Sequence, residues 1–238
     1  MPRAPIDEHT TDIDGIEVTM RRSRVRNMTL RVSRDGRVTL TRPARTPEAE
    51  AVAFFESKRA WVEAKLARVR AEQAAGALED GGSCHLWGER KRLFFLEEPG
   101  RKRGSVEVQG SYLVFHLPPD STPESRERLF RAFLARELKA VLPSVAARAE
   151  ERVGRCAAEW RIRSMRSRWG SCNTATGVIA IASSLAQYPP ECLEEVVVHE
   201  LCHLFETGHN QRFYALMDRF CPRWREARAI LKRGLAAL

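Results

Sequence analysis

Residues 196–204 read V-V-V-H-E-L-C-H-L. Pro189 and Pro190 stand upstream, where proline is favoured at a helix start, and Leu193, Val196, Val197, Leu201 and Leu204 recur at helical spacing, so a helix with one buried face is expected. At about 3.6 residues per turn, positions four apart differ by about 40° in direction and about 6 Å along the axis. His199 and His203 can therefore point one ring nitrogen each at a common ion, and that geometry suits zinc. Glu200 flanks the same face without being obliged to bind metal, which makes it the candidate general base for a metal-activated water.

A catalytic zinc takes a third protein ligand and keeps one position open. His209 lies six residues beyond His203, past Glu206-Thr207-Gly208, and Gly208 is expected to adopt the left-handed backbone that ends a helix and turns the chain back. Asn210-Gln211-Arg212-Phe213 then starts another helix. A downstream carboxylate such as Glu226 is the alternative third ligand; ligand type and sequence proximity favour His209. The His203 to His209 spacing equals that of metzincins, yet Glu206 stands where those enzymes carry glycine, so the turn must be built differently. A purely structural zinc would ask for four protein ligands and leave Glu200 without a task. Cys202, inside the motif, reads as a small buried hydrophobe.

Upstream of this helix, Trp160 and Ile162 suggest a strand, Arg163 to Thr176 a loop, and Val178 to Leu185 a second strand that could pair with an extended peptide by strand addition. Arg166 and Arg168, in the S-M-R-S-R run before Trp169, are candidates to hold a substrate carboxylate or phosphate. The competing role for Arg168 is a structural ion pair, and for Trp169 core packing. Tyr214, five residues past His209, could offer its hydroxyl to a tetrahedral intermediate or pack beside Phe213.

Towards the N-terminus, Ile16 to Leu40 reads as an antiparallel hairpin: Met28, Leu30 and Val32 alternate with polar residues, then come Asp35-Gly36 and Val38 and Leu40. Thr46-Pro47-Glu48 supplies a cap signature for one long helix carrying Val52, Phe55, Val62, Leu66 and Val69. After a break at Gly76 to Gly82, segments at 86–96, 106–108 and 113–117 are short and β-like and are expected to complete a small sheet with the hairpin. The G-R-K-R-G loop at 100–104 reads as a solvated turn. Ser121-Thr122-Pro123-Glu124 opens a second long helix that Pro143 is expected to kink or end. No internal repeat is visible. The class is α+β: a flexible N-terminus at 1–15, a β-rich region with one long helix at 16–120, and a zincin-like catalytic region at 121–238.

The 238 residues carry 40 Lys and Arg against 31 Asp and Glu, a net charge of +9, with 43% hydrophobic and 30% charged content. This excludes wholesale disorder. The longest uncharged run, 169–190, is broken by glycines, serines and prolines, so no membrane span and no membrane partner are expected, and the acidic N-terminus shows no export signal. Six cysteines without a close pair suggest reduced thiols in a cytoplasmic protein. The positive balance favours anionic partners, including weak nucleic-acid binding through a basic surface. Oligomeric state is not legible.

R-W-G-S-C-N at 168–173, G-V-I-A-I-A at 177–182, the helix at 196–204 and G-H-N-Q-R-F-Y-A-L-M at 208–217 together resemble the YgjP-like metal-dependent hydrolases, with related patterns in the WLM and SprT-type zinc proteases. The resemblance covers most of the chain. It implies one zinc ion bound by His199, His203 and His209, a catalytic Glu200, and a 168–173 loop beside the site. Asn173 departs from the serine more usual in that family. The leading expectation is a cytosolic zinc metallopeptidase acting on peptides. Two rivals share the same activated water: a metal-dependent nucleoside triphosphate pyrophosphatase, suggested by the arginines at 161–168, and a DNA-associated protease of the WLM or SprT type.

Overall fold

The computed structural model describes residues 6–33, 35–75, 78–165 and 167–235. The chain divides into two compact units, Met1–Ala74 and Ala75–Leu238. In the first, β1 (Asp7–Ile13), β2 (Ile16–Ser23), β3 (Thr29–Val32) and β4 (Val38–Pro43) form one sheet in the order β1-β2-β4-β3. Of the antiparallel hairpin expected over 16–40, only β3 and β4 make the antiparallel pair; residues 16–23 form β2, which is parallel to β4. Residues 7–13, expected to be flexible, form β1, which pairs with β2 from Asp7 opposite Arg22 to Ile13 opposite Ile16. Only Ile13 of this strand is buried. Main-chain pairing holds it, and its polar faces left no alternating signal to read.

The single helix expected after Thr46 is two, α1 (Glu48–Glu56) and α2 (Arg59–Ala75). The Thr46 hydroxyl makes no cap. Its carbonyl instead accepts from buried Arg42 at 2.5 Å, and Arg42 also donates to Glu48 at 3.2 Å. At the break, the Ser57 hydroxyl donates to the Phe54 carbonyl at 2.7 Å, a local bond that competes with helix continuation. Val18, Met20, Val38 and Leu40 from the sheet and Ala51, Phe55 and Val62 from the helices share one core.

The second unit opens with β5 (Ser83–Leu86), β6 (Glu89–Glu97), β7 (Ser105–Gln109) and β8 (Tyr112–Leu117), followed by α3 (Pro123–Val153). These strands do not join the hairpin sheet. They make their own, ordered β5-β6-β8-β7, and Leu93, Leu113, Phe115 and Leu117 pack with Phe130, Phe133 and Leu134 of α3. The segment at 83–117 therefore shares a core with the catalytic region and not with the first 74 residues. The two four-stranded sheets repeat one topology: antiparallel, parallel, antiparallel pairing in the same order. Each opens on a tight turn with positive φ at two successive residues, Asp14-Gly15 (47° and 83°) and Trp87-Gly88 (52° and 83°). The repeat lies in hydrogen bonding, which many side-chain sets satisfy, so the sequence does not display it.

Thr122 caps α3 by accepting from the Ser125 N–H at 3.2 Å. The helix runs through Pro143 to Val153, because Leu142, Val145, Ala146, Ala149 and Val153 continue its buried face beyond the proline. β9 (Glu159–Arg163), β10 (Gly170–Asn173) and β11 (Val178–Ala182) make a third sheet, ordered β10-β11-β9. β11 is parallel to β9 and antiparallel to β10. With both its edges paired, β11 is not open to strand addition; β10 and β9 are the edge strands of this sheet. A 3-10 turn at Ser183–Gln187 leads to α4 (Pro190–Cys202), α5 (Gln211–Phe220) and α6 (Trp224–Arg233). The class is α+β, as expected, with three small sheets and six α-helices among the described residues. None of these helices is long and apolar enough to cross a membrane.

Candidate metal centre

α4 is buried almost all round, from Cys192 and Leu193 through Glu195 to Cys202. It ends at His203, so the two motif histidines occupy its last turn and its C-cap. The return of the chain is not made by a left-handed Gly208, whose φ lies outside that region. Short-range bonds make it instead: Leu204 N–H to Leu201, and Phe205 and Glu206 N–H to Cys202. Asn210 then caps α5, accepting from the Phe213 N–H at 3.1 Å.

This turn brings His209 to the other two histidines. One ligand atom from each of His199, His203 and His209 lies within 4.8 Å of the others. His199 Nε2 and His209 Nε2 stand 2.9 Å apart. Tetrahedral zinc at about 2.0–2.1 Å from each nitrogen sets neighbouring ligands about 3.3 Å apart, so an ion needs only a few tenths of an ångström of opening. His203 Nδ1 is 3.0 Å from the Glu206 carbonyl, which fixes the proton on Nδ1 and leaves Nε2 with a free lone pair. Burial, then Arg228, pushes His199 down to about 3, and burial lowers His209 as well, so both rings are neutral near pH 7, as ligation requires. Three imidazole nitrogens converging in this way fit a zinc-like ion. Glu226 is exposed and paired with Arg223 at 2.6 Å. Cys202 is fully buried, its thiol raised to about 12 by burial, and behaves as core.

Glu200 is 5% exposed and faces β10. Burial pushes its carboxyl up to about 8, reinforced by Glu195 and opposed by Arg168, Arg228 and the N–H of Cys172. An added Cβ at Gly170 would sit 2.5 Å from Glu200 Oε1, so only glycine admits the carboxylate. Residues 170–173, expected within a loop at 163–176, are strand β10 paired with β11, and this strand lies against Glu200. Asn173 is used in the turn after β10, its side-chain oxygen accepting from Ala175 and Thr176. Arg168 is exposed with its charge felt at Glu200; Arg166 lies outside the described residues. Trp169 packs edge-on against Tyr188 at 4.8 Å. Tyr214 is neither core nor buried: it is 37% exposed, stacks on Trp224 at 5.5 Å and lies 6.5 Å from the His209 ring.

Three contributors escaped the sequence reading. Phe213, four residues past His209, is fully buried with its ring 4.7 to 4.8 Å from all three imidazoles, forming their floor. Its i+4 relation to His209 was the available signal. Phe213→Ala is expected to cost about 3–5 kcal/mol, read from urea unfolding of the metal-free protein, and to weaken metal binding by loosening all three rings. Glu195, one turn before His199, is 2% exposed and raised to about 7 by burial. Arg228 of α6 donates to it at 3.2 Å and stands 3.1 Å from His199 Nδ1. No local spacing connects Arg228 to α4. A separate recess of about 420 Å3, lined by Arg128, Arg131, Ile162, Arg163 and Ser183, includes none of these residues.

No curated protein matches the chain. Among solved structures, the metallopeptidase zymogen of Pyrococcus abyssi abylysin is similar at 21% identity, over 38% of this chain and 92% of that one, with a TM-score of 0.35. The YgjP-like metallopeptidase domain matches residues 26–234. That span leaves out β1 and β2 but takes in every later element, the three histidines and Glu200, and the chain belongs to the YgjP-like metallopeptidase-domain family.

Proposed function

We propose that the protein is a zinc-dependent peptidase that uses His199, His203 and His209 as ligands and Glu200 as general base. The observation that carries this is the convergence of three imidazoles, with the buried Glu200 side chain next in sequence to the first of them. A zinc ion in such a set polarises a scissile carbonyl and lowers the pKa of a water towards 7. Glu200, whose carboxyl stands at about 8 without an ion and would be brought down by the cation's charge, would take that water's proton and pass it to the leaving amine. The Cys172 N–H and the Arg168 charge orient the carboxylate. The outer edge of β10 offers main-chain groups for an extended peptide, and Tyr214, at the rim by His209, is placed to meet substrate. A cytoplasmic setting is supported by six unpaired cysteine thiols.

A screen of zinc-loaded protein tests this. Cleavage of unstructured polypeptides is expected, falling about 100-fold or more on chelation and returning with zinc. Pyrophosphate release from nucleoside triphosphates with inert polypeptides would replace this reading by the pyrophosphatase one. Cleavage that requires DNA, with binding that weakens steeply in salt, would favour the DNA-associated protease.

A further inference from the structure

We propose that Glu195 is a positioning residue for the metal centre: its carboxylate accepts a hydrogen bond from the Nδ1–H of His199 when Nε2 is given to the cation, and Arg228 holds that carboxylate in place. The inference rests on the metal-site reading above.

The argument starts from what each group can donate. Arg228 Nη1 lies 3.1 Å from His199 Nδ1 and 3.2 Å from Glu195 Oε1. A guanidinium has donors and no acceptor. In this arrangement Nδ1 accepts from Arg228, the ring proton is on Nε2, and Nε2–H donates to His209 Nε2 at 2.9 Å. The set is self-consistent for imidazoles that hold one another.

Metal ligation through Nε2 reverses it. The proton must then sit on Nδ1, and Nδ1–H cannot donate to Arg228. Glu195 Oε1 is the acceptor at hand, 3.9 Å from Nδ1 on the preceding turn of the same helix. Closing to hydrogen-bonding range needs a shift of about 1 Å. Arg228 keeps its bond to the carboxylate and so supplies the counter-charge that a 2% exposed Glu195 needs. His203 differs: its Nδ1 already faces the Glu206 carbonyl at 3.0 Å, so that ring is preset and His199 is the one that must be turned over to its ligating tautomer.

Zinc affinity of the wild type, Glu195→Gln and Glu195→Leu, measured by competition with a chromophoric chelator, tests this together with long-range 1H–15N correlation of the His199 ring. Glu195→Leu is expected to bind zinc about 10- to 100-fold more weakly. Glu195→Gln, which keeps a carbonyl oxygen at the same reach, is expected to recover part of that loss. The zinc-loaded wild type is expected to show a protected Nδ1–H on His199, which Glu195→Leu loses. These readouts separate positioning from bulk stability, which a buried leucine would leave equal or higher. Zinc affinity in both variants within about twofold of wild type, while His203→Ala still weakens it, would overturn the role of Glu195 and leave the metal site standing. Failure of the wild type to bind zinc would overturn both.

Discussion

Zinc-loaded Glu200→Gln is expected to cleave polypeptide about 10²- to 10⁴-fold more slowly than the wild type, the range that a positioned general base contributes. Glutamine has the same shape and can still accept the Cys172 N–H, but it cannot take a proton. Its neutrality also removes the repulsion from Glu195 and the cost of burying a carboxylate, so the variant's melting temperature is expected to be unchanged or higher. The three imidazoles are untouched, and zinc affinity should follow the wild type. Rate and binding measured on one preparation therefore isolate proton transfer. A rate within about tenfold of wild type would remove Glu200 from the chemistry.

Gly170→Ala should be nearly as severe by a different route. The new Cβ would stand 2.5 Å from Glu200 Oε1, 2.7 Å from its Cγ and 2.9 Å from its Cδ. Neither side can retreat freely. β10 is pinned to β11 with Gly170 opposite Ile181, and Glu200 is 5% exposed inside a helix buried all round. Displacing the carboxylate by about 1 Å is expected to cost about 100-fold in kcat, with zinc affinity largely kept. Gly208→Ala is the internal comparison: it has ordinary φ and nothing within 4 Å of the added carbon, and should behave like the wild type. Full activity in Gly170→Ala would show that the placement of Glu200 against β10 does not matter to catalysis.

Much of this was legible in sequence because it is local. The i, i+4 spacing of His199 and His203 is a property of helical geometry, and the apolar positions around it marked the buried face whatever surrounds it. The cap at Thr122, the β3 and β4 hairpin and the start of α5 at Asn210 likewise follow from neighbouring residues. Local rules also misled where competition intervened. Thr46 lost its capping task because α1 starts one residue later, with Pro47 at the N-cap, and Pro143 did not stop α3 because the packing gain along the next turns exceeded its cost. Polar β1 was invisible, since backbone pairing and exposed polar contacts such as Glu8 with Arg21 support it and Ile13 is its one buried residue.

The amino-acid order by itself determined the helix at 190–202 and the alignment of His199 and His203 along it with Glu200 adjoining, for the chain cannot form that helix without aligning them. Only the tertiary structure decided that His209 joins them while Glu226 pairs with Arg223, that Phe213 underlies all three rings, that Gly170 admits Glu200, and that Arg228 and Glu195 flank His199. Those groups lie on different strands and helices, and the burial of a shared core brings them within reach, a sum over contacts distant in sequence that no short window contains.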